Sequence, residues 1–190
     1  MMTSEQRSRN MAAIHSKDTK PEMVVRRWLW SRGFRYRLNS PRLPGHPDLV
    51  LKRYRTCIFV NGCFWHGHNI QFTMYSSSTS EAAGPITQCI IESSECCKIP
   101  KTNRDFWVQK IRRNQERDAE ERKRLREMGW HCITVWECEL RPRLRERTLQ
   151  SLEYTLNCIY LQDHSTRYVI EEETLPMAAE PGMGYSTPKK

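Results

Sequence analysis

Pro47-Asp48-Leu49-Val50-Leu51, then, after a basic turn, Cys57-Ile58-Phe59-Val60-Asn61-Gly62-Cys63-Phe64-Trp65-His66-Gly67-His68-Asn69 is the stretch that decides the fold. Two short runs of β-branched, aromatic and apolar residues either side of a turn read as a β-hairpin whose second strand is buried. Asp48 stands at the mouth of the first strand. The second strand runs into a thiol, two imidazoles and two adjacent aromatics, a set that no structural role requires.

Working outward, Thr19-Lys20-Pro21-Glu22 has the pattern of a capping box with Pro in the first turn, and Val24, Val25, Trp28 and Leu29 form the apolar stripe of a helix that ends at Gly33. Phe34 to Leu38 alternates like a strand. A long charged helix is predicted from Thr102 or Asn103 to Gly129, apolar at Phe106, Trp107, Ile111, Leu125 and Met128, with its middle as a solvated face. Cys132 to Trp136 reads as a further strand and Leu144 to Leu161 as a further helix. The expected organisation is one domain over 1–163. It carries an N-terminal arm or helix over 1–18, with Met11 and Ile14 on one face, and a Ser/Thr-rich irregular insertion over 71–95 that touches neither core nor chemistry. Residues 164–190 have the Glu, Pro and Gly content of a disordered tail.

Lys plus Arg number 31 against 22 Asp plus Glu, a formal net charge of +9 on 190 residues, and the surplus is spread through the first two thirds of the chain. That balance points to a phosphate-bearing partner. The first residues lack the apolar core of a signal peptide and no apolar run approaches a membrane span, so a cytoplasmic, nucleoid-associated protein without membrane contact is expected. Eight cysteines in a reducing compartment then suggest ligands in preference to a disulfide framework.

Phosphodiester cleavage needs a hard cation on oxygen ligands and a group that removes a proton. Asp48 can hold Mg²⁺ and His66 can take the proton. Cys63 and His68 have the spacing of half a tetrahedral Zn²⁺ site, whose other half could come from Cys96 or Cys97 together with Cys138.

The stretches Arg7-Ser8-Arg9-Asn10-Met11, Leu43-Pro44-Gly45-His46-Pro47-Asp48, Phe59 through His68, Ile99-Pro100-Lys101-Thr102-Asn103, Met128-Gly129-Trp130 and Val135-Trp136-Glu137-Cys138 together resemble the very-short-patch-repair (Vsr) DNA mismatch endonuclease family over roughly residues 5–142. The resemblance implies an α/β fold with a restriction-endonuclease-like core, a mixed β-sheet flanked by helices and a structural zinc site. It implies Asp48 as the catalytic, Mg²⁺-binding aspartate, His66 as the catalytic histidine, Glu22 near the active site, and the Val60 carbonyl as a second Mg²⁺ ligand. Asn61 stands where the best-known members have a second histidine; it can still donate to a phosphate oxygen. Cys63, His68 and Cys138 match zinc ligands, with Cys97, or Cys96 as the alternative, as the fourth. Phe64, Trp65 and Trp107 match aromatics that wedge into the duplex, and Met11 and Ile14 match the helix that enters from the opposite groove. The implied reaction is a nick 5′ to the thymine of a T:G mismatch left by deamination of 5-methylcytosine, performed by a monomer, with mismatch-repair proteins as possible partners. A restriction-like or defence endonuclease without a mismatch requirement is the alternative.

Overall fold

The structure is a computed structural model that describes residues 6, 9, 18–73, 90–91 and 95–165. Met11 and Ile14 lie outside these described residues, as do most of 71–95 and the tail beyond 165. Helix α1 spans Lys20–Ser31; Thr19 caps it, its hydroxyl accepting from the Glu22 N–H at 3.4 Å. At the other end Gly33 takes φ +84°, which a side chain would resist, and the Phe34 N–H returns to the Leu29 carbonyl at 3.0 Å. Phe34 is therefore part of the helix cap and packs on Leu29 in the core. The strand expected from Phe34 shrinks for that reason to β1, Arg37–Leu38.

Strands β2 (Leu49–Leu51) and β3 (Thr56–Asn61) form the antiparallel hairpin. A short antiparallel pair, β4 (Phe72–Thr73) with β5 (Ile90–Ile91), lies inside the stretch read as irregular. Helix α2 (Arg104–Glu127) then carries the chain to β6 (His131–Trp136), which pairs parallel to β3, and α3 (Pro142–His164) follows. The main sheet runs β1-β2-β3-β6 and is mixed.

Alternation along the strands divides the core between two faces. Leu49, Leu51, Ile58 and Val135 meet Val25 and Leu29 of α1 and Leu149, Leu152 and Leu156 of α3. Val50 and Cys57 face Leu125 of α2 on the other side. The result is a three-layer α/β architecture with β3 at its centre. A third cluster of Ile70, Cys97 and Ile111, with Phe64, Phe72 and Ile99 against it, fastens the loop after β3 to α2. Phe72 thus ties the start of the 71–95 insertion to packed structure, contrary to the expectation that the segment touches no core. Among the described residues no helix is long and apolar enough to cross a membrane.

Two differences in α2 matter for the site. Phe106 and Met128, expected on its apolar face, are half exposed. Its buried residues are Ile111, Asp118 and Leu125, seven apart, so a carboxylate occupies the centre of the buried stripe.

Candidate active site

Because β2 runs antiparallel to β3, Asp48 at the start of β2 comes to the end of β3, where its Oδ2 accepts the Val60 N–H at 2.7 Å. Of Val60 it is the N–H, not the carbonyl, that touches Asp48. Burial pushes the Asp48 pKa up to about 6, the charge of Glu22 adds to this, and the Val60 N–H and His66 oppose it. Glu22 belongs to the buried stripe of α1, one turn from Val25, and is only 2% exposed. Its carboxylate faces the Arg26 guanidinium at 3.4 Å. The sequence pattern suggested a capping duty for this side chain; the fold gives it a charged partner inside the protein instead.

Past Asn61 the chain turns through residues 63–69, and α2 determines how that turn sits. Asn114 donates to the Trp65 carbonyl at 2.8 Å, and Gln115 donates to the Gly67 and Ile70 carbonyls at 2.9 and 3.0 Å. Gly67 has φ +60°, and a Cβ on it would lie 2.5 Å from Ile111 Cγ2, so the close approach to α2 needs glycine. The turn delivers His66 to Asp118, with Nδ1 2.5 Å from Oδ2. Since the carboxylate accepts, Nδ1 donates, and the neutral form of such an imidazole has its lone pair on Nε2. His66 and Asp118 line a cleft with Asn61, His46, Arg117 and Arg122. An oriented imidazole base, a buried carboxylate and cationic side chains around one cleft suit attack on a phosphodiester.

Parallel pairing of β3 with β6 in the register Asn61↔Trp136 places what leaves one strand beside what leaves the other. Cys63 and His68 from the turn thereby meet Cys138, just past β6. The fourth member is Cys96: His68 Nδ1 lies 3.2 Å from Cys96 Sγ, 3.3 Å from Cys138 Sγ and 3.8 Å from Cys63 Sγ. Zn–S and Zn–N bonds in a tetrahedron imply S···N edges of about 3.5 Å. All four ligand atoms fall within 4.8 Å of one another. Burial pushes the Cys63 thiol up to about 12 and also raises Cys138, while it lowers the His68 imidazole. Burial thus favours the neutral forms of Cys63, Cys138 and His68, and the donor set fits a soft divalent ion that would draw protons off the sulfurs. Trp136 stacks on the His68 ring at 4.1 Å and holds its orientation. Of the two cysteines expected as alternatives for the fourth position, Cys96 belongs to the group, while Cys97 is fully buried and packs with Ile70 and Ile111.

Phe64 and Trp65 pack on Trp107 at 5.1 and 6.1 Å between ring centroids, and half-exposed Phe106 extends the group at 5.2 Å from Trp107. The Lys110 ammonium sits over Trp65, Trp107 and Phe106 at 5.3 to 5.8 Å. Fold and turn thus bring together Asp48, Glu22, Val60, Asn61 and His66 in one group, Cys63, His68 and Cys138 in a second, and the aromatics in a third. Sequence reading missed Asp118, Asn114 and Gln115. The signal for Asp118 was present: an acid seven residues from both Ile111 and Leu125 on one helix face.

The family model described as DNA mismatch endonuclease Vsr matches residues 1–72. The type II nicking enzyme V.NmeAIP of Neisseria meningitidis serogroup A is 42% identical over 151 residues, covering 77% of this chain and 89% of that protein. The DNA mismatch endonuclease Vsr of Escherichia coli K12 is 38% identical, covering 72% of each chain. The type II nicking enzyme V.XorIIP of Xanthomonas oryzae pv. oryzae is 35% identical over 73% of this chain and 85% of its own length. A mixed-sheet α/β scaffold with a histidine–aspartate pair beside a buried carboxylate, in a chain so similar to these enzymes, is that of a DNA endonuclease, a hydrolase of phosphodiester bonds. The chain belongs to the Vsr family.

Proposed function

We propose that the protein nicks double-stranded DNA 5′ to the thymine of a T:G mismatch, and that it does so on a restriction-endonuclease-like core. The observation that carries the hydrolytic part is the 2.5 Å contact that orients His66 through Asp118, at the strand end where Asp48 is half-buried and Glu22 buried. The mismatch part rests on the relationship to the Escherichia coli enzyme, whose name specifies mismatched DNA.

His66 Nε2 takes the proton of the attacking water, and Asp118 stabilises the imidazolium that results. Mg²⁺ held by Asp48 and the Val60 carbonyl, with Glu22 nearby, would supply charge stabilisation at the scissile phosphate and acidify water there. Asn61 donates to a phosphate oxygen, and Arg117 and Arg122 attract the backbone into the cleft. The P–O3′ bond breaks, leaving a 5′-phosphate and a 3′-hydroxyl. Phe64, Trp65 and Trp107 insert beside the mispair, where unstacking costs least; Met11 and Ile14 serve the opposite groove. Cys63, His68, Cys96 and Cys138 would hold Zn²⁺, which would pin the turn carrying His66 to the end of β6. The protein acts as a monomer in the cytoplasm, where mismatch-repair proteins are possible partners.

The test is nicking, with Mg²⁺, of labelled duplexes that differ only in T:G against C:G within a cytosine-methylation site. Selective cutting of the thymine strand is expected. Equal cutting of both duplexes refutes the mismatch requirement and favours the restriction-like reading.

A further inference from the structure

The buried Glu22 carboxylate lies close enough to the half-buried Asp48 carboxyl to raise the pKa of Asp48. Buried carboxylates of this kind need a countercharge. Arg26, one turn along α1, puts Nη1 3.4 Å from Glu22 Oε1 and uses the same nitrogen to pair with Asp18. Tyr36 donates to the Arg26 carbonyl at 3.0 Å and steadies that turn of the helix. The guanidinium is mostly enclosed, its side chain 18% exposed, and its Nε is buried without a hydrogen-bond partner. Glu22 thus has a cation that is near but not well bonded: charge-assisted N–H···O contacts settle at about 2.7–2.9 Å, and this one is longer. A firm bidentate pair would lock Glu22 away from Asp48, whereas a loose pair leaves it able to change partner.

We propose that Arg26 is the resident countercharge of the metal-free centre: it holds the Glu22 carboxylate in place beside Asp48, and yields that carboxylate when a divalent cation binds. The inference rests on the reading of Asp48 and Glu22 as the cation-facing pair. Arg26 is a positioning residue, and its role carries a thermodynamic signature. A group that stabilises the metal-free state more than the loaded state opposes loading by the same factor, so its removal tightens cation binding.

The test uses the full chain with Arg26→Met, which keeps the aliphatic stem and removes the charge. Arg26→Gln gives a second route to the same comparison, and Arg26→Lys is the rescue. Thermal unfolding is followed in chelator and across a Mg²⁺ titration, and the Mg²⁺ dependence of nicking is measured in parallel. In chelator Arg26→Met melts below wild type. It gains more than wild type on adding Mg²⁺, and its half-saturating Mg²⁺ for nicking falls about fivefold or more. Glu22→Gln, added to Arg26→Met, returns the melting temperature lost in chelator. Equal losses with and without Mg²⁺, persisting in the Glu22→Gln background, would overturn the proposal; so would an unmoved half-saturation. A wild type that neither nicks nor gains stability with Mg²⁺ overturns the cation reading itself, whereas a responsive wild type matched by Arg26→Met overturns only the role of Arg26.

Discussion

Asp48→Asn should stabilise the metal-free protein at neutral pH while abolishing nicking. The Asp48 pKa stands at about 6 against an ordinary 3.8, chiefly because burial disfavours its charged form. A rise of that size corresponds to about 3 kcal/mol; solvent access and relaxation bring the expected gain to roughly 1–3 kcal/mol. Asparagine retains a carbonyl oxygen for the Val60 N–H, so the substitution removes the charge and little else. Since the folded state holds the Asp48 proton more tightly than the unfolded chain does, this stabilising contribution is full below about pH 4 and is lost as pH rises through about 6. Wild type and variant should therefore be equally stable near pH 4 and diverge toward pH 7.5. At ~2–4 °C per kcal/mol for a domain of this size, a gain of ~2 kcal/mol raises Tm by about 4–8 °C. Thermal unfolding in chelator at the two pH values, alongside nicking in Mg²⁺, provides the assay. A variant no more stable than wild type at pH 7.5, or one whose advantage is the same at pH 4, would refute the reasoning.

Cys96→Ser should lower bound zinc and stability, whereas Cys97→Ser should keep full zinc stoichiometry; metal analysis of the purified proteins distinguishes the two. Asp118→Asn should cut kcat by about 10–100-fold with KM little changed, because the imidazolium loses its charged partner while substrate contacts persist; a fall in kcat/KM caused by KM alone would argue against it. Trp107→Ala, which removes the ring that both Phe64 and Trp65 pack on, should reduce the preference for T:G over C:G duplexes more than it reduces cleavage of T:G DNA at saturation. Competition between the two duplexes reads this out.

The Vsr resemblance, the strands at 49–51 and 56–61, the Thr19 cap, the helix-ending Gly33 and Gly129 and the candidate roles of Asp48, His66, Cys63 and His68 were readable along the chain, because alternation, capping and motif spacing are local. Asn103, by contrast, begins α2 without a side-chain cap bond. Local patterns also misled where two of them competed for one residue. Phe34 fits a strand, but the cap of α1 consumes it, and Glu22 fits a capping box, but it is buried beside Asp48. Only the tertiary structure decided which cysteine completes the cluster, since Cys96 and Cys97 are equivalent in spacing and differ in which way the bend turns them. It also decided that His66 finds Asp118, 52 residues away. That partnership depends on α2 crossing the face of the sheet and gripping the turn through Asn114 and Gln115. The sequence alone marked Asp48, His66 and the Cys/His set as candidates for the chemistry, but not Asp118. Their assembly came from the parallel pairing of β3 with β6 and from α2 packing across it, long-range contacts that no local period encodes.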